Sequence, residues 1–319
     1  RTRWWPWAKP PPSWASRFQP YATTPPWSRT ALAVWAPSKI DCFRRCPLQF
    51  HYRYVEQAQE EQRGGALVCG SVAHVAISAA VHDLKAGLRI EELDPGPYFE
   101  QAWMAELSAT KVPIAWGSGG IEKAEAVTRA GVQKYLELED LGERARRIEA
   151  IDVPFEVPLI HPDTGLDTGV TLRGYLDFLE RTEDGRLQPL ELKTAASKAA
   201  HSELDIQRAT QASAYVYGIR HTHGTDTSSQ IAYTVIVKTK EPTIVDRVVA
   251  IGDEEIRRVL LTCLQVQRAA KLEVAFAAVS GWQCTTCPYA LRCARSRDLV
   301  GTQSPLDAIA GQVLTEASR

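Results

Sequence analysis

The sequence has little net charge, few cysteines for its length and no long apolar run. Its 319 residues carry 37 lysines and arginines against 38 aspartates and glutamates, a formal net charge of −1. This balance excludes a chain that is basic throughout, so a nucleic-acid surface would have to be a local patch. No apolar stretch long enough to span a bilayer is evident, and the N-terminus lacks the apolar region of a signal peptide. We therefore expect a soluble, cytoplasmic protein that does not contact membranes.

The cysteines are too sparse for a disulfide framework. Seven cysteines in 319 residues differ from the dense sets that stabilise small secreted domains, and they fit a reducing compartment. The phosphate-binding pattern G-x-x-x-x-G-K-[ST] does not occur, so helicase or ATPase activity would need a partner protein. With 45% hydrophobic residues, the chain has enough material for one large packed domain or two modest ones.

The composition divides the chain into three parts. Residues 1–37 hold six of the nine tryptophans and eight of the nineteen prolines, without helical or strand periodicity. We expect this Trp/Pro-rich segment to be disordered or not native, and a partner-binding arm is the functional alternative. Residues 38–298 form the expected domain, and residues 299–319 form a C-terminal tail with a short helix.

The patterns along the domain predict helices, then strands, then helices. Ser38 can cap a short helix that Pro47 would end, and Ser71 lies near the expected start of a helix that Gly87 ends. Further helices are expected over 96–109, 121–140, 203–219 and 253–272. Strands are expected at 151–159, 170–182, 187–195 and 230–238. This order predicts a mixed α/β domain that contains an antiparallel hairpin.

The expected hairpin brings charged side chains together. Apolar residues alternate at positions 170, 172, 174, 176 and 178, so Asp177 should lie on the other face. On the second strand, Glu191 and Lys193 share the face opposite two leucines. A turn at Asp184-Gly185 would place Asp177 almost directly across from Glu191. One face of the hairpin would then hold two carboxylates and an amine.

This cluster has two interpretations. Two carboxylates suit Mg²⁺ or Mn²⁺, which accept substrate phosphate oxygens as further ligands, and Lys193 could neutralise charge or orient water. Alternatively, the residues form a plain ion pair on a solvated sheet. His74 would lie in the first turn of its helix, where the dipole favours a neutral imidazole able to bind metal. Gln211 and Tyr215 share one helix face at i and i+4.

The segment "CTTCPYALRC" at 284–293 places Cys284, Cys287 and Cys293 at C-x2-C-x5-C. Cysteine thiolates suit soft metals, and four of them would fit either Zn²⁺ or an iron–sulfur cluster. The spacing alone does not decide between the two, and it leaves the fourth ligand open.

Six elements in this order resemble the PD-(D/E)XK nuclease superfamily. They are "SKIDCFRRCPLQFHY", "GSVAH", "GYLD", "ELK", "QASAY" and "CTTCPYALRC". The specific likeness is to the RecB-like branch with an iron–sulfur cluster, which includes the AddB nuclease domain and CRISPR-associated RecB-like exonucleases. The resemblance implies a restriction-endonuclease-like core whose N- and C-terminal segments are joined by a metal cluster. The first acidic motif departs from the family pattern, because it reads Leu176-Asp177 rather than Pro-Asp.

The resemblance also implies roles for individual residues. His74, Asp177, Glu191 and the carbonyl of Leu192 would bind Mg²⁺ or Mn²⁺. Lys193 would be the catalytic lysine, and Gln211 with Tyr215 would complete the site.

The implied fourth cysteine ligand is Cys46, which with Cys284, Cys287 and Cys293 would hold a [4Fe–4S] cluster, with Zn²⁺ as the alternative. The expected activity is a metal-dependent DNA nuclease, in exonuclease mode, in repair, recombination or CRISPR and phage DNA processing. Its partners would be DNA and a helicase or a CRISPR or recombination protein. A non-catalytic nucleic-acid-binding or assembly module and a four-cysteine zinc scaffold are the alternatives.

Overall fold

The computed structural model describes residues 32–277 and 281–294. Its strands are β1 Val34–Trp35, β2 Arg63–Gly64, β3 Ile114–Ala115, β4 Ile148–Ile160, β5 Asp167–Arg181, β6 Leu187–Ala195, β7 Gln230–Val237 and β8 Thr243–Ala250. Its α-helices are α1 Pro37–Arg45, α2 Pro47–Phe50, α3 Gly65–Lys85, α4 Pro95–Ala109, α5 Gly120–Leu136, α6 Leu141–Arg147, α7 Glu203–Arg208, α8 Thr210–His223 and α9 Asp253–Lys271. A π-helix spans His51–Val55, and single 3-10 turns span Ile90–Glu92, Gly224–Asp226 and Trp282–Cys284.

The centre of the fold is a mixed six-stranded sheet. Its order is β1-β5-β6-β7-β8, with β4 paired to β5. Strand β5 runs antiparallel to β4 and β6, β6 runs parallel to β7, and β7 runs antiparallel to β8. This sheet confirms the expected mixed α/β fold with an antiparallel hairpin, which is the arrangement of a restriction-endonuclease-like core.

Helices cover both faces of the sheet and create two apolar cores. The first core joins the sheet to α1, α8 and α9, through residues such as Ile40, Val216 and Leu260. The second core joins it to α3, α4 and α5, through residues such as Val72, Trp103 and Val132. The sheet therefore lies between two helical layers, and the face on which a side chain lies decides the core in which it packs.

Helix α3 corrects two expectations from the sequence. At 21 residues, with a mean hydropathy of 1.5 in its most apolar window, it is long and apolar enough to cross a membrane, although no such run was expected. Of that window, 56% is buried inside the fold, against α4, α5 and β6, as a core helix would be. The helix begins at Gly65, so Ser71 does not lie near its start.

Other element boundaries also differ from expectation. Helix α1 begins at Pro37 with Ala36 at its N-cap, so Ser38 lies inside the helix and does not cap it. The single helix expected over 203–219 is two helices, because Ala209 adopts extended backbone between α7 and α8. Trp35 is fully buried in the first core, so the described fold begins before the expected boundary at residue 38. The expectations for residues 1–31 and 299–319 lie outside the described residues.

Candidate active site where two strands separate

The hairpin strands β5 and β6 separate at the predicted cluster. Their last regular pair is Phe178 with Leu190, and one step further the same register sets Asp177 opposite Glu191. There the backbone N–H of Leu192 donates to Oδ2 of Asp177 at 2.7 Å. A carboxylate thus replaces a carbonyl as the acceptor, so Asp177 satisfies a backbone group that the separating strands would leave unpaired.

The alternation of side chains is interrupted at Asp177. Leu176 packs in the first core, whereas Phe178 packs in the second. The expectation that both lie on one face is therefore wrong. On the neighbouring strand β4, Asp152 lies opposite Asp177, because the residues on either side of the two form regular pairs. Asp152 has a left-handed φ of 53°. We attribute the change of face to this irregularity, which interrupts the alternation in both strands while the pairs on either side keep the same register.

His74 contacts Asp177 from helix α3. It is the tenth residue of that helix, so its expected position in the first turn, with a dipole that favours neutral imidazole, is wrong. Its Nε2 lies 2.5 Å from Oδ2 of Asp177. Burial lowers the pKa of His74, but the Asp177 carboxylate and Glu191 outweigh it, so the pKa is raised. The two side chains are therefore held together as a close His–Asp pair.

Glu191 is a buried carboxylate with one unsatisfied oxygen. Its side chain is 3% exposed, and Oε1 accepts hydrogen bonds from Nζ of Lys193 at 2.6 Å and from Nε2 of Gln211 at 2.7 Å. Its Oε2 is buried and has no hydrogen-bond partner among the described residues. Burial and the nearby Asp177 carboxylate raise the pKa of Glu191 to about 7, although Lys193 opposes the shift. A buried oxygen without a donor is costly, and a cation would relieve that cost.

Helix α8 holds the lysine and the glutamate in place. Oε1 of Gln211 accepts from Nζ of Lys193 at 2.9 Å, while its Nε2 also donates to the hydroxyl of Tyr215 at 2.8 Å. That hydroxyl in turn donates to the backbone carbonyl of Tyr175 at 2.6 Å. Gln211, the first member of the expected i and i+4 pair, therefore holds the Glu191 carboxylate and the Lys193 ammonium in place. Tyr215, the second member, satisfies the Tyr175 carbonyl close to the point where β5 and β6 separate.

Glycines let β5 and α8 close on the Phe155 ring. A Cβ at Gly174 would lie 2.3 Å from the ring and 3.0 Å from Tyr215, and a Cβ at Gly218 would lie 2.5 Å from the same ring. The ring of Phe155 packs edge-on against Tyr215, with centroids 5.8 Å apart. The position of Tyr215 therefore depends on two residues that lack side chains.

The structure brings six predicted side chains into one connected group. These are His74, Asp177, Glu191, Lys193, Gln211 and Tyr215. The backbone of Leu192, between Glu191 and Lys193, joins the group through its bond to Asp177, and the Leu192 side chain lies in the second core.

Three neighbours of the group were not predicted. Asp152 is electrostatically coupled to His74 and Asp177, and burial raises its pKa. His201 has a left-handed φ of 56°, and its pKa is lowered by burial and by Lys193. Its ring lies 6.2 Å from that of Tyr233, which is paired with Glu191 across β6 and β7. Asp152 and Tyr233 lie on strands that the sequence predicts, at 151–159 and 230–238, but no pattern in the sequence indicated that they approach Asp177 or Glu191.

The C-terminal cysteines lie against the N-terminal part of the fold. The Cys287 carbonyl accepts from Gln62 at 3.0 Å, and the Pro288 carbonyl accepts from the backbone of Glu61 at 2.9 Å. Burial raises the pKa of the Cys287 thiol, although a backbone hydrogen bond opposes this shift. The thiols of Cys46, Cys284 and Cys293 raise that pKa further. The thiols of Cys46, Cys284 and Cys293 are thus close enough to influence Cys287, and Cys46 and Cys287 likewise influence the thiol of Cys42.

The donor sets fit metals, although they are not arranged around one. Within residues 32–277 and 281–294, no three His, Cys, Asp or Glu side chains form a group that could already hold an ion. In the active site, His74 and Lys193 occupy oxygens that a cation would use. The unsatisfied Oε2 of Glu191 beside Asp177 nevertheless offers the oxygen ligands that Mg²⁺ and Mn²⁺ prefer.

Comparison with known proteins gives one family match and several distant structural matches. The family model of the PD-(D/E)XK nuclease superfamily matches residues 34–294. Among solved structures, a protein from Eubacterium rectale named "Putative exonuclease" has 12% identity and a TM-score of 0.47, over 80% of this chain and 88% of that one. The protein SSO0001 has 13% identity and a TM-score of 0.32, over 77% and 91%. Comparison with curated proteins gives no match.

Proposed function

Because the chain belongs to the PD-(D/E)XK nuclease superfamily, we propose that it is a nuclease that uses Mg²⁺ or Mn²⁺ to hydrolyse phosphodiester bonds in DNA. The observation that supports this most is the unsatisfied Oε2 of Glu191, buried beside Asp177 and Lys193. A buried carboxylate oxygen without a donor is costly, and a bound cation is one arrangement that would satisfy it.

The cation would be held by Asp177, Glu191, Nε2 of His74 and the carbonyl of Leu192. When bound, it supplies Lewis-acid stabilisation of the charge that develops on the phosphate. His74 must release its proton, and its contact with Asp177, before both side chains can act as ligands.

Lys193 would act directly on the substrate. Its ammonium donates to Oε1 of Glu191 and Oε1 of Gln211, which accounts for two of its three donors. The third donor can reach a phosphate oxygen or orient the attacking water, and burial strengthens that interaction. Burial lowers the pKa of Lys193, but the carboxylates of Glu191 and Asp177 outweigh it and raise the pKa. This raised pKa supports a role in which Lys193 neutralises charge on the phosphate or orients the attacking water.

The mode of action that we propose is exonuclease cleavage at DNA ends, in repair, recombination or CRISPR and phage DNA processing. The six family-like elements of the sequence support it. The proposed partners are a helicase or a CRISPR or recombination protein, and any helicase or ATPase activity would have to come from such a partner. We propose a cytoplasmic location, which the sparse cysteines favour.

For the four cysteines we propose a [4Fe–4S] cluster, with Zn²⁺ as the alternative metal. Their grouping around Cys287 and the packing of the segment against residues 61 and 62 support a metal that ties the two ends of the domain. Iron, sulfide and zinc analysis of anaerobically purified protein separates the two. Cys284→Ala should lose the metal and Cys69→Ala, a buried cysteine outside the group, should keep it. Equal metal content in both variants would refute the assignment.

The decisive experiment measures cleavage of end-labelled single- and double-stranded DNA with Mg²⁺ or Mn²⁺. Glu191→Ala and Lys193→Ala should each lower the rate at least about 100-fold. Lys134→Ala, on the exposed side of α5, is the matched control and should cut at the wild-type rate. If fully metallated wild type cuts nothing, or if Glu191→Ala and Lys193→Ala cut as well as wild type, the protein is instead a non-catalytic nucleic-acid-binding module.

A further inference from the structure

An exposed tyrosine lies at the edge of the proposed active site. On β5, the neighbours of Tyr175 face α8, since a Cβ at Gly174 would contact Tyr215 and Leu176 packs in the first core. Tyr175 therefore projects from the opposite face of the sheet, and 52% of the residue is exposed. Its backbone carbonyl is fixed by the Tyr215 hydroxyl, so the strand that presents the ring is itself part of the site.

Tyr175 lines an open groove on strands β4 and β5, two residues along β5 from Asp177. The groove has a volume of about 450 Å³, and Pro154, Glu156 and Arg173 line it with Tyr175. Pro154 is paired directly with Tyr175 across β4 and β5. Asp177 follows two residues later, about 6.6 Å along the strand. At about 3.4 Å of rise per nucleotide in a stacked strand, that distance corresponds to roughly two nucleotides.

The charges of the groove favour a base rather than a phosphate as its occupant. The Arg173 guanidinium is paired with the Glu156 carboxylate, at 2.9 Å from Nε and 2.8 Å from Nη2. The groove therefore has no unpaired cation of its own for a phosphate. What it offers is the face of an aromatic ring, and among the described residues that ring stacks on no other one.

We propose that Tyr175 stacks an unpaired nucleobase roughly two nucleotides from the bond to be cut, so that the groove is a subsite for single-stranded DNA. Bases inside a duplex stack on each other, and only an unpaired base can offer its face to a protein ring. The proposal rests on the nuclease function and specifies its substrate as an unpaired strand or a frayed end.

The test measures the dissociation constant for a fluorescently labelled single-stranded oligonucleotide and for a blunt duplex, by anisotropy, with Ca²⁺ in place of Mg²⁺. Tyr175→Ala should weaken single-strand binding roughly 5- to 150-fold and leave duplex binding unchanged. Tyr175→Phe keeps the ring and should bind like wild type. Met104→Ala, a second exposed apolar residue (60%) on α4, is the matched control and should also bind like wild type.

A scan with single abasic nucleotides locates the stacked base. At one position of the oligonucleotide, an abasic nucleotide should weaken binding to the wild type as much as Tyr175→Ala does. The same abasic nucleotide should not weaken binding to Tyr175→Ala any further. The proposal is overturned if Tyr175→Ala binds the single strand like wild type, if both DNA forms weaken equally, or if no abasic position has an effect. Because binding is measured without cleavage, these results are independent of the Glu191→Ala experiment. A wild type that binds through Tyr175 but cuts nothing would refute only the catalytic proposal.

Discussion

Gly174→Ala tests how closely β5 and α8 must approach at the active site. The added methyl would lie 2.3 and 2.5 Å from two carbons of the Phe155 ring, more than an ångström inside normal contact. The ring cannot retreat toward α8, because a Cβ at Gly218 would already be 2.5 Å from it. Overpacking of this kind costs about 1–3 kcal/mol. Since both sides are closed, we expect a loss of about 3 kcal/mol in the free energy of unfolding.

Urea unfolding followed by circular dichroism measures this loss by linear extrapolation. Gly142→Ala is the matched control, because a Cβ there has nothing within 4 Å and alanine favours the helix α6 that contains it. That variant should gain about 0.5 kcal/mol. Adding Phe155→Leu to Gly174→Ala should recover part of the loss. A Gly174→Ala variant within about 0.5 kcal/mol of wild type would refute the reasoning.

The remaining predictions concern Asp177 and its two partners. The pKa of His74 is raised above its usual value, so the proton persists to higher pH, and Mn²⁺ affinity should fall as the pH is lowered through that raised pKa. Calorimetric titration at several pH values checks this, and His74→Asn should reduce the dependence to the part due to Glu191, whose pKa is about 7; a flat wild-type profile would contradict it. Asp177→Asn loses the ion pair with His74 but keeps an acceptor for the Leu192 N–H, so it should lose cleavage and serves as the reference for thermal stability. Asp177→Ala should lose cleavage and also about 1–3 kcal/mol of stability, because that buried N–H is left unsatisfied; equal stability of the two variants would show that the hydrogen bond contributes nothing.

The sequence predicted the parts of the site that depend on local periodicity. Turn residues Asp184-Gly185 and the two-residue period of the strands set Asp177 opposite Glu191, and helical spacing set Gln211 beside Tyr215. The position predicted for His74 within its helix was wrong, because the helix begins where Gly65 contacts a residue that is distant in the sequence. A Cβ at Gly65 would lie 2.9 Å from the backbone of Trp116, about fifty positions along the chain.

Features produced by tertiary contact had no sequence signal. The change of core between Leu176 and Phe178 arises from an irregularity shared by two strands, so no single strand pattern reveals it. His201 approaches Tyr233 only because a loop folds over β7. The groove beside Tyr175 exists only where β4 and β5 are left uncovered by a helix. Such positions depend on which surfaces pack, and periodicity carries no information about that.

The packing of the cysteine segment against the start of the domain has a consequence for biosynthesis. The hydrogen bond from Gln62 to Cys287 joins positions 225 residues apart, and the Tyr52 and Tyr289 rings meet at 5.6 Å. These contacts cannot form on the ribosome until nearly the whole domain has been translated, and such long-range contacts form slowly. The N-terminal surface around Tyr52 therefore stays open during synthesis, so metal insertion at the cysteines would be among the last steps of maturation.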